Sequence, residues 1–146
     1  MHFLQSIISN KAITIPVLAW FVAQLIKVLR VIYKEKKLDI TRFVGSGGMP
    51  SSHSSFIVCL STVVGKNRGW ESMEFGIAVA VSLIIMYDAA GVRRAAGKQA
   101  EVLNMLLYSL KNKIQFEGKL KELLGHSPFE VAMGALLGVF FGLWLG

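Results

Sequence analysis

Long apolar runs constrain this chain more than any other feature of its sequence. The first extends over about residues 12–33, and later runs cover about 50–65, 75–92 and 128–145. A helix needs about 20 apolar residues to cross the hydrocarbon core of a bilayer. The first run is long enough, the second is short, and the last two are slightly short. Two explanations are open: these helices are tilted less, or neighbouring protein surrounds the second. The pattern predicts an all-α integral membrane protein with about four membrane helices, in one domain over residues 1–146.

A polar segment, residues 93–125, separates the third and fourth apolar runs. Aliphatic side chains recur in it at helical spacing, opposite charged and amide side chains; they are Leu103, Leu106, Leu107, Leu110 and Ile114. This spacing predicts an amphipathic helix. Two placements fit it equally well: a helix at the membrane surface or over a site, and a helix packed on its neighbours.

Positive charge is unevenly distributed along the chain. Lys and Arg number 16 against 9 Asp and Glu, and eleven of the 16 lie in the loop 34–49 and the segment 93–125. With four membrane helices these two segments share one side, and the positive-inside rule assigns that side to the cytoplasm of a cell-membrane protein. Cations placed between apolar runs indicate membrane topology and an anionic ligand, so we expect no nucleic-acid partner.

Residues 47–55, Gly-Gly-Met-Pro-Ser-Ser-His-Ser-Ser, open the second apolar run. Glycine permits close backbone approach, and proline and serine suit the start of a helix. The amides and dipole of a helix N-terminus favour anions, so Ser51 and Ser52 are expected to contact a phosphate. His53, one turn in, is placed to donate a proton to a leaving oxygen. The alternative is a well-capped helix with an interfacial histidine.

Polar groups also lie near the cytoplasmic ends of the first and third runs. Lys27 is deep enough in its run to require a polar pocket, and Asp88 is its expected partner. Arg93 and Arg94 follow, and a guanidinium fork can clamp phosphate oxygens. Anchoring at the membrane surface is the alternative. We expect one arginine to bind the ligand and the other to anchor the chain.

The fourth run begins in a capping box. Ser127, Pro128 and Glu130 stand at N-cap, N1 and N3, so Glu130 has a structural role of its own. His126 precedes this N-terminus and is expected on the same basic membrane face as His53. Two histidines and two helix N-termini on that face indicate more than capping.

Glycines recur at every fourth position in the fourth run, at Gly134, Gly138 and Gly142. Such a stripe permits close packing between membrane helices. We expect it to pack within the chain or to form a homo-oligomer.

Three blocks resemble a known family. Gly-Gly-Met-Pro-Ser-Ser-His, Tyr-Asp-Ala-Ala-Gly-Val-Arg-Arg and Leu-Gly-His-Ser-Pro-Phe-Glu-Val are similar to the divergent branch of the type-2 phosphatidic acid phosphatases. That branch is related to acid phosphatases and vanadium haloperoxidases. The resemblance covers about residues 24–138. It implies metal-independent phosphoryl transfer, in which one histidine attacks phosphorus and forms a phosphohistidine, and a second histidine protonates the leaving alcohol.

The resemblance implies a role for each matching residue. His126 would be the nucleophile, and Glu130, in place of an aspartate, would orient it. His53 would be the general acid, with Ser52 in place of a glycine.

The basic residues of the family match less closely. Arg93 or Arg94 looks like the arginine of the third family motif. The first motif has no clean match, and Lys27 and Arg42 are its best substitutes.

The same residues suggest a substrate. Phosphoryl transfer requires positive charge around the phosphate oxygens. No cluster of metal ligands is evident, so no cofactor is expected and activity should survive chelators. A cytoplasmic site suits a phospholipid made inside the cell, with phosphatidylglycerophosphate as the leading substrate; polyprenyl diphosphate and phosphatidic acid are alternatives. The rival functions are a non-catalytic lipid-phosphate binder or transporter and a structural membrane subunit.

Overall fold

The computed structural model describes residues 2–36, 48–109, 120 and 125–146, and every regular element in this part of the chain is an α-helix. The predicted all-α membrane fold is confirmed. The elements are α1 (His2–Ile8), α2 (Lys11–Glu35), α3 (Ser52–Arg68), α4 (Met73–Ala90), α5 (Val92–Ser109) and α6 (Pro128–Leu145). The apolar pattern did not predict α1, because α1 is far shorter than a membrane span.

Four of the described helices begin at polar caps. The side chains of Asn10, Ser51, Ser72 and Ser127 each accept a hydrogen bond from a backbone amide in the first turn of α2, α3, α4 and α6. Each cap satisfies an amide that has no partner within its helix. For α3 this corrects the sequence interpretation, since Ser51 is the cap and Pro50 therefore precedes the helix instead of standing in its first turn.

The bundle surrounds α3. The stretches Lys11–Tyr33, Met73–Ser109 and Pro128–Leu145 are long and apolar enough to cross a membrane, so three described stretches meet this measure, against about four predicted helices. The difference is α3, which has 17 residues and carries buried serines and a threonine among its apolar residues. It packs against α2, α4 and α6. Of the two explanations for its short run, this packing supports the one in which neighbouring protein surrounds the helix.

Glycines bring α6 unusually close to α3. A Cβ atom at each position of the stripe would collide with α3: Gly134 with the Ser51 carbonyl, Gly138 with the Ser55 carbonyl and the Cys59 amide, and Gly142 with the Thr62 side chain. The order of these contacts shows that α3 and α6 run parallel. The stripe therefore packs within the chain in this structure, and the N-termini of α3 and α6 lie at the same level.

The other side of α3 packs on α2. Ile15 and Ala19 of α2 share a buried cluster with Cys59 and Val63 of α3 and Phe141 of α6. At Ala19 the backbone carbonyl also accepts a hydrogen bond from the Ser55 hydroxyl, at 3.3 Å. This contact anchors the helix that carries Lys27 against the N-terminal half of α3.

The predicted amphipathic helix corresponds to α5, within which Leu103 and Leu106 are about half exposed. Among the described helices α5 packs only on α4. This exposure favours placement at the membrane surface over burial against the bundle. Leu110 and Ile114 of the predicted helix lie outside the described residues.

Candidate functional site

Three parts of the chain meet at one end of the bundle. The Ser51 amide donates a 3.0 Å hydrogen bond to the Glu130 carbonyl, which joins the start of α3 to the start of α6. The His126 amide donates to the Ala89 carbonyl at 2.9 Å, which ties the same region to the end of α4. Gly125 has φ +82°, and a Cβ atom there would collide with the backbone of α5. The expected convergence of two helix N-termini is therefore present.

His126 lies inside this junction. His126 is 3% exposed, and neither ring nitrogen has a hydrogen-bond partner among the described residues. The Glu130 Oε2 atom is 3.5 Å from Nδ1, which is within ion-pair reach but too long for a good hydrogen bond. Buried polar atoms are almost always satisfied, and an unsatisfied one costs about 1–3 kcal/mol. Such a group is a candidate for ligand contact.

Glu130 serves the cap and faces the histidine with the same oxygen atom. Its Oε2 accepts from the Ser127 amide at 2.9 Å, and the Glu130 amide donates to the Ser127 hydroxyl at 3.3 Å. The predicted capping box is confirmed. Hydrogen bonds within catalytic sites are often long before substrate binds, so the 3.5 Å separation is compatible with an orienting role.

The electrostatic surroundings of His126 favour its neutral form. Burial lowers the pKa of His126 below the usual 6.5, and the positive charge of Lys27 lowers it further, while the Glu130 carboxylate opposes both. A neutral imidazole has one nitrogen with a free lone pair. His126 therefore has the protonation state that a nucleophile or a hydrogen-bond acceptor requires at neutral pH.

Lys27 provides the buried positive charge. Lys27 is 4% exposed, and its Nζ atom donates a 3.2 Å hydrogen bond to the hydroxyl of Ser52. Ser52 is itself 1% exposed. Its charge also acts on Glu130 and on His126. The structure thus places a cation on α2 against the N-terminus of α3, where an anion would be held.

The expected pair between Asp88 and Lys27 is wrong. Asp88 Oδ2 accepts instead from Arg93 Nε at 2.6 Å, across the short connection from α4 to α5. Both side chains are partly exposed. In this structure Asp88 holds Arg93 near the site and carries no contact to Lys27. Arg94 is also exposed, and Arg42 lies outside the described residues.

Ser51 and Ser52 differ in role. The Ser51 amide is bonded to Glu130, and the Ser51 hydroxyl accepts from the amide and the hydroxyl of Ser54. The Ser51 amide is thus engaged within the fold, contrary to the expectation that it would contact an anion. Ser52 instead contacts Lys27, so its side chain belongs to the polar interior of the site.

His53 is exposed in the first turn of α3, where the charges of Arg93, Lys27 and Asp88 act on its ring. His53 and His126 also interact electrostatically. The ring of His53 borders a cavity of about 330 Å³ that is otherwise apolar; the other lining residues are Val17, Trp20, Phe56, Ile57 and Ile85. Sequence reasoning missed these lining residues, because apolar side chains within membrane helices carry no distinguishing pattern.

Comparison with known proteins identifies the family of this chain. The sequence model of the Divergent PAP2 family matches residues 8–141. The uncharacterized membrane protein YuiD of Bacillus subtilis (strain 168) is 40% identical over an alignment of 135 residues, which covers 84% of this chain and 85% of that protein. No solved structure matches the chain. The family match covers nearly the whole chain and includes all three blocks. This multi-pass membrane protein therefore belongs to the Divergent PAP2 family.

Proposed function

We propose that this protein is a lipid-phosphate phosphatase that hydrolyses a phosphomonoester through a phosphohistidine intermediate on His126. The observation that carries the proposal is the state of this histidine. It is 3% exposed, lacks a hydrogen-bond partner among the described residues, has the Glu130 carboxylate 3.5 Å from Nδ1, and is subject to the charge of Lys27. A structural histidine has no need of such surroundings, whereas a nucleophile does.

The reaction has two steps. In the first, a ring nitrogen of His126 attacks phosphorus, a P–N bond forms, and the P–O bond to the alcohol breaks. His53 gives its proton to the departing oxygen. In the second step a water molecule gives a proton back to His53 and attacks phosphorus, the P–N bond breaks, and inorganic phosphate leaves.

Two charged residues support both steps. Lys27 faces the negative charge of the phosphoryl oxygens, where a preorganised cation contributes most. Glu130 stabilises the positive charge that develops on the imidazole when the P–N bond forms, and it holds the ring in place. Arg93, kept nearby by Asp88, adds positive charge at the mouth of the site.

The substrate and the side of the membrane form the finer part of the proposal. Eleven of the 16 Lys and Arg residues lie in the sequence segments 34–49 and 93–125, so we assign the site to the cytoplasmic face. A phospholipid made on that face and carrying a terminal phosphate, such as phosphatidylglycerophosphate, is the favoured substrate. Polyprenyl diphosphate is the alternative.

One observation favours a second function. Glu130 already has a structural partner in Ser127, so its carboxylate is explained without catalysis. A lipid-phosphate binder or transporter would use the same Lys27 and His126 without forming a covalent bond.

The test is phosphate release by the purified protein in the presence of a chelator. The substrates are phosphatidylglycerophosphate, phosphatidic acid and polyprenyl diphosphate, and the matched variant is His126→Asn. We expect release from the first substrate, and a loss of about a thousandfold or more in the variant. Vanadate binding without release from any substrate would support the binder. Unchanged release in His126→Asn would overturn the assigned nucleophile.

A further inference from the structure

We infer that the apolar groove between α2, α3 and α4 binds the hydrocarbon chain of the substrate and delivers its phosphate ester to His53. This inference rests on the proposed function and deepens it. It identifies the substrate class as phosphate monoesters of long hydrocarbon chains, which enter sideways from the bilayer.

The groove has the composition and the position that a hydrocarbon chain requires. It encloses about 330 Å³, and His53 is the polar member of its lining; the apolar members are Val17, Trp20, Phe56, Ile57 and Ile85. Val17 is 48% exposed and lies in the stretch Lys11–Tyr33, which can cross the membrane. The groove therefore opens on the side of the bundle toward lipid.

The arrangement of charge fixes the orientation of the occupant. His53 is in the first turn of α3, whereas Phe56 and Ile57 lie about one turn deeper into the bundle. The Lys27 ammonium contacts Ser52, the neighbour of His53 in the first turn of α3, at 3.2 Å. The charges of Lys27, Arg93 and Asp88 act on the ring of His53, so cations outnumber the one carboxylate at the site end of the groove. The remaining lining is uncharged. An anionic head at His53 with an apolar tail along Phe56 and Ile57 matches this gradient.

The position of His53 also separates substrate from ordinary bilayer lipid. A histidine on the wall of an apolar membrane groove is costly unless it faces a polar group. The ester oxygen of a lipid phosphate supplies such a group, with phosphorus then directed toward His126. A methylene chain alone does not.

A second groove provides a matched control. It has a volume of about 460 Å³, lies between α2 and α6, and contains no histidine; its lining includes Ile26, Arg30, Met133, Leu136 and Leu137. Leu136 is 63% exposed, so a larger side chain there also faces lipid.

The first experiment compares hydrolysis of dodecyl phosphate and ethyl phosphate by the wild type, Val17→Trp and Leu136→Trp. Burial of each methylene group of the substrate raises kcat/KM about fourfold. The new side chain in Val17→Trp should displace roughly two methylene groups from the groove, so the ratio of kcat/KM for dodecyl phosphate to kcat/KM for ethyl phosphate should fall about fifteenfold. Leu136→Trp should keep the wild-type ratio. Dodecyl phosphate partitions into detergent to the same extent in all three assays, so this partitioning does not affect the comparison of the ratios. A wild-type ratio in Val17→Trp would overturn the inference.

The second experiment needs no turnover and no variant. A dodecyl phosphate with a diazirine at the chain end is photolysed with the wild-type protein, and the labelled peptides are identified. We expect labelling on α2 near Val17 and on α3 near Ile57, and competition by unlabelled dodecyl phosphate but not by dodecylphosphocholine. Labelling of α6 near Leu136, or equal competition by both lipids, would overturn the inference. If the protein hydrolyses neither phosphate and the groove is nevertheless labelled selectively, the proposed function fails while the groove assignment stands.

Discussion

The backbone amide of Ser51 donates a 3.0 Å hydrogen bond to the backbone carbonyl of Glu130, and this bond joins the first turns of two parallel helices. Hydrogen bonds between the ends of two helices require close approach, and Gly134 provides it by packing directly on Ser51. The junction places His53 and His126 at the same end of the bundle. The geometry of the site thus depends on a position in α6 that has no side chain.

Gly134→Ala should therefore destabilise the protein. The new methyl group would collide with the Ser51 carbonyl, and overpacking of this kind costs about 1–3 kcal/mol. Gly76→Ala is the control, because a Cβ atom there has nothing within 4 Å and alanine is favoured over glycine in a helix by up to about 1 kcal/mol. Thermal unfolding in detergent should show a lower Tm for Gly134→Ala and an equal or higher Tm for Gly76→Ala. Equal Tm values in the two variants would contradict the close approach of α3 and α6.

The catalytic and capping roles of Glu130 can be separated by two substitutions. Glu130→Gln preserves the capping box, since glutamine is also accepted at N3, but removes the charge beside His126. Ser127→Ala removes the cap hydroxyl and keeps the carboxylate. We expect Glu130→Gln to lower kcat about a hundredfold with little change in Tm. Ser127→Ala should lower stability by about 0.5–2 kcal/mol and keep most of the activity.

A different result is expected if Glu130 serves the fold alone. In that case Ser127→Ala and Glu130→Gln would lose activity only in proportion to their loss of folded protein, measured by the fraction that remains monodisperse in detergent.

Lys27 is expected to bind the phosphoryl group. Lys27→Met removes a buried cation, so phosphate and vanadate should bind about tenfold or more weakly, while stability is kept or increased because no charge remains to be desolvated. Arg30→Met is the matched control, since Arg30 is an exposed cation one turn along α2. Calorimetric titration with vanadate measures both variants. Equal weakening in the two would indicate a general effect of net charge instead of a specific contact.

The protonation state of His126 predicts the acid limb of the pH–rate profile. Burial and the charge of Lys27 lower the pKa of His126 below 6.5, so the nucleophile is neutral at pH 7. The acid limb of kcat/KM should therefore lie below pH 6.5. The negative charge of Glu130 raises this pKa, so Glu130→Gln should move the acid limb to lower pH. A shift to higher pH would contradict the electrostatic account.

Stability should follow the same titration. Because the pKa of His126 is lower in the folded than in the unfolded protein, the unfolded state binds more protons below pH 6.5, and stability falls as the pH decreases through the folded pKa. His126→Asn should lose this contribution. Tm measured from pH 7.5 to pH 5 should therefore decrease less in the variant than in the wild type.

Local signals in the sequence predicted much of this fold. The limits of α6 agree with the expected run, because a capping box and a proline determine where the helix starts. The limits of α4 lie within two residues of the predicted ones. Sequence did not reveal that α3 is enclosed by three helices to the degree observed, although its short run suggested shielding. Enclosure depends on which helices become neighbours, and no local signal records that.

The side-chain partners were less predictable. Asp88 was expected to pair with Lys27. It pairs instead with Arg93, which is only five residues away, and Lys27 donates a hydrogen bond to Ser52. The Ser51 amide was expected at a ligand, but the approach of α6 supplies the Glu130 carbonyl instead. A local ion pair decided the partner of Asp88, and a tertiary contact decided the partner of the Ser51 amide. The N-termini of α3 and α6 meet as expected, because both helices start at the same end of the bundle.

The most direct test is to trap the covalent intermediate. The purified protein is mixed with phosphatidylglycerophosphate labelled in its terminal phosphate, quenched in alkali within the first turnover, and digested for mass spectrometry. We expect an acid-labile, alkali-stable phosphoryl group on His126 that is absent from His126→Asn and accumulates in His53→Ala with an activated leaving group. Phosphate release by the wild type without label on His126, or with label on His53 instead, would contradict the assignment of His126 as the nucleophile.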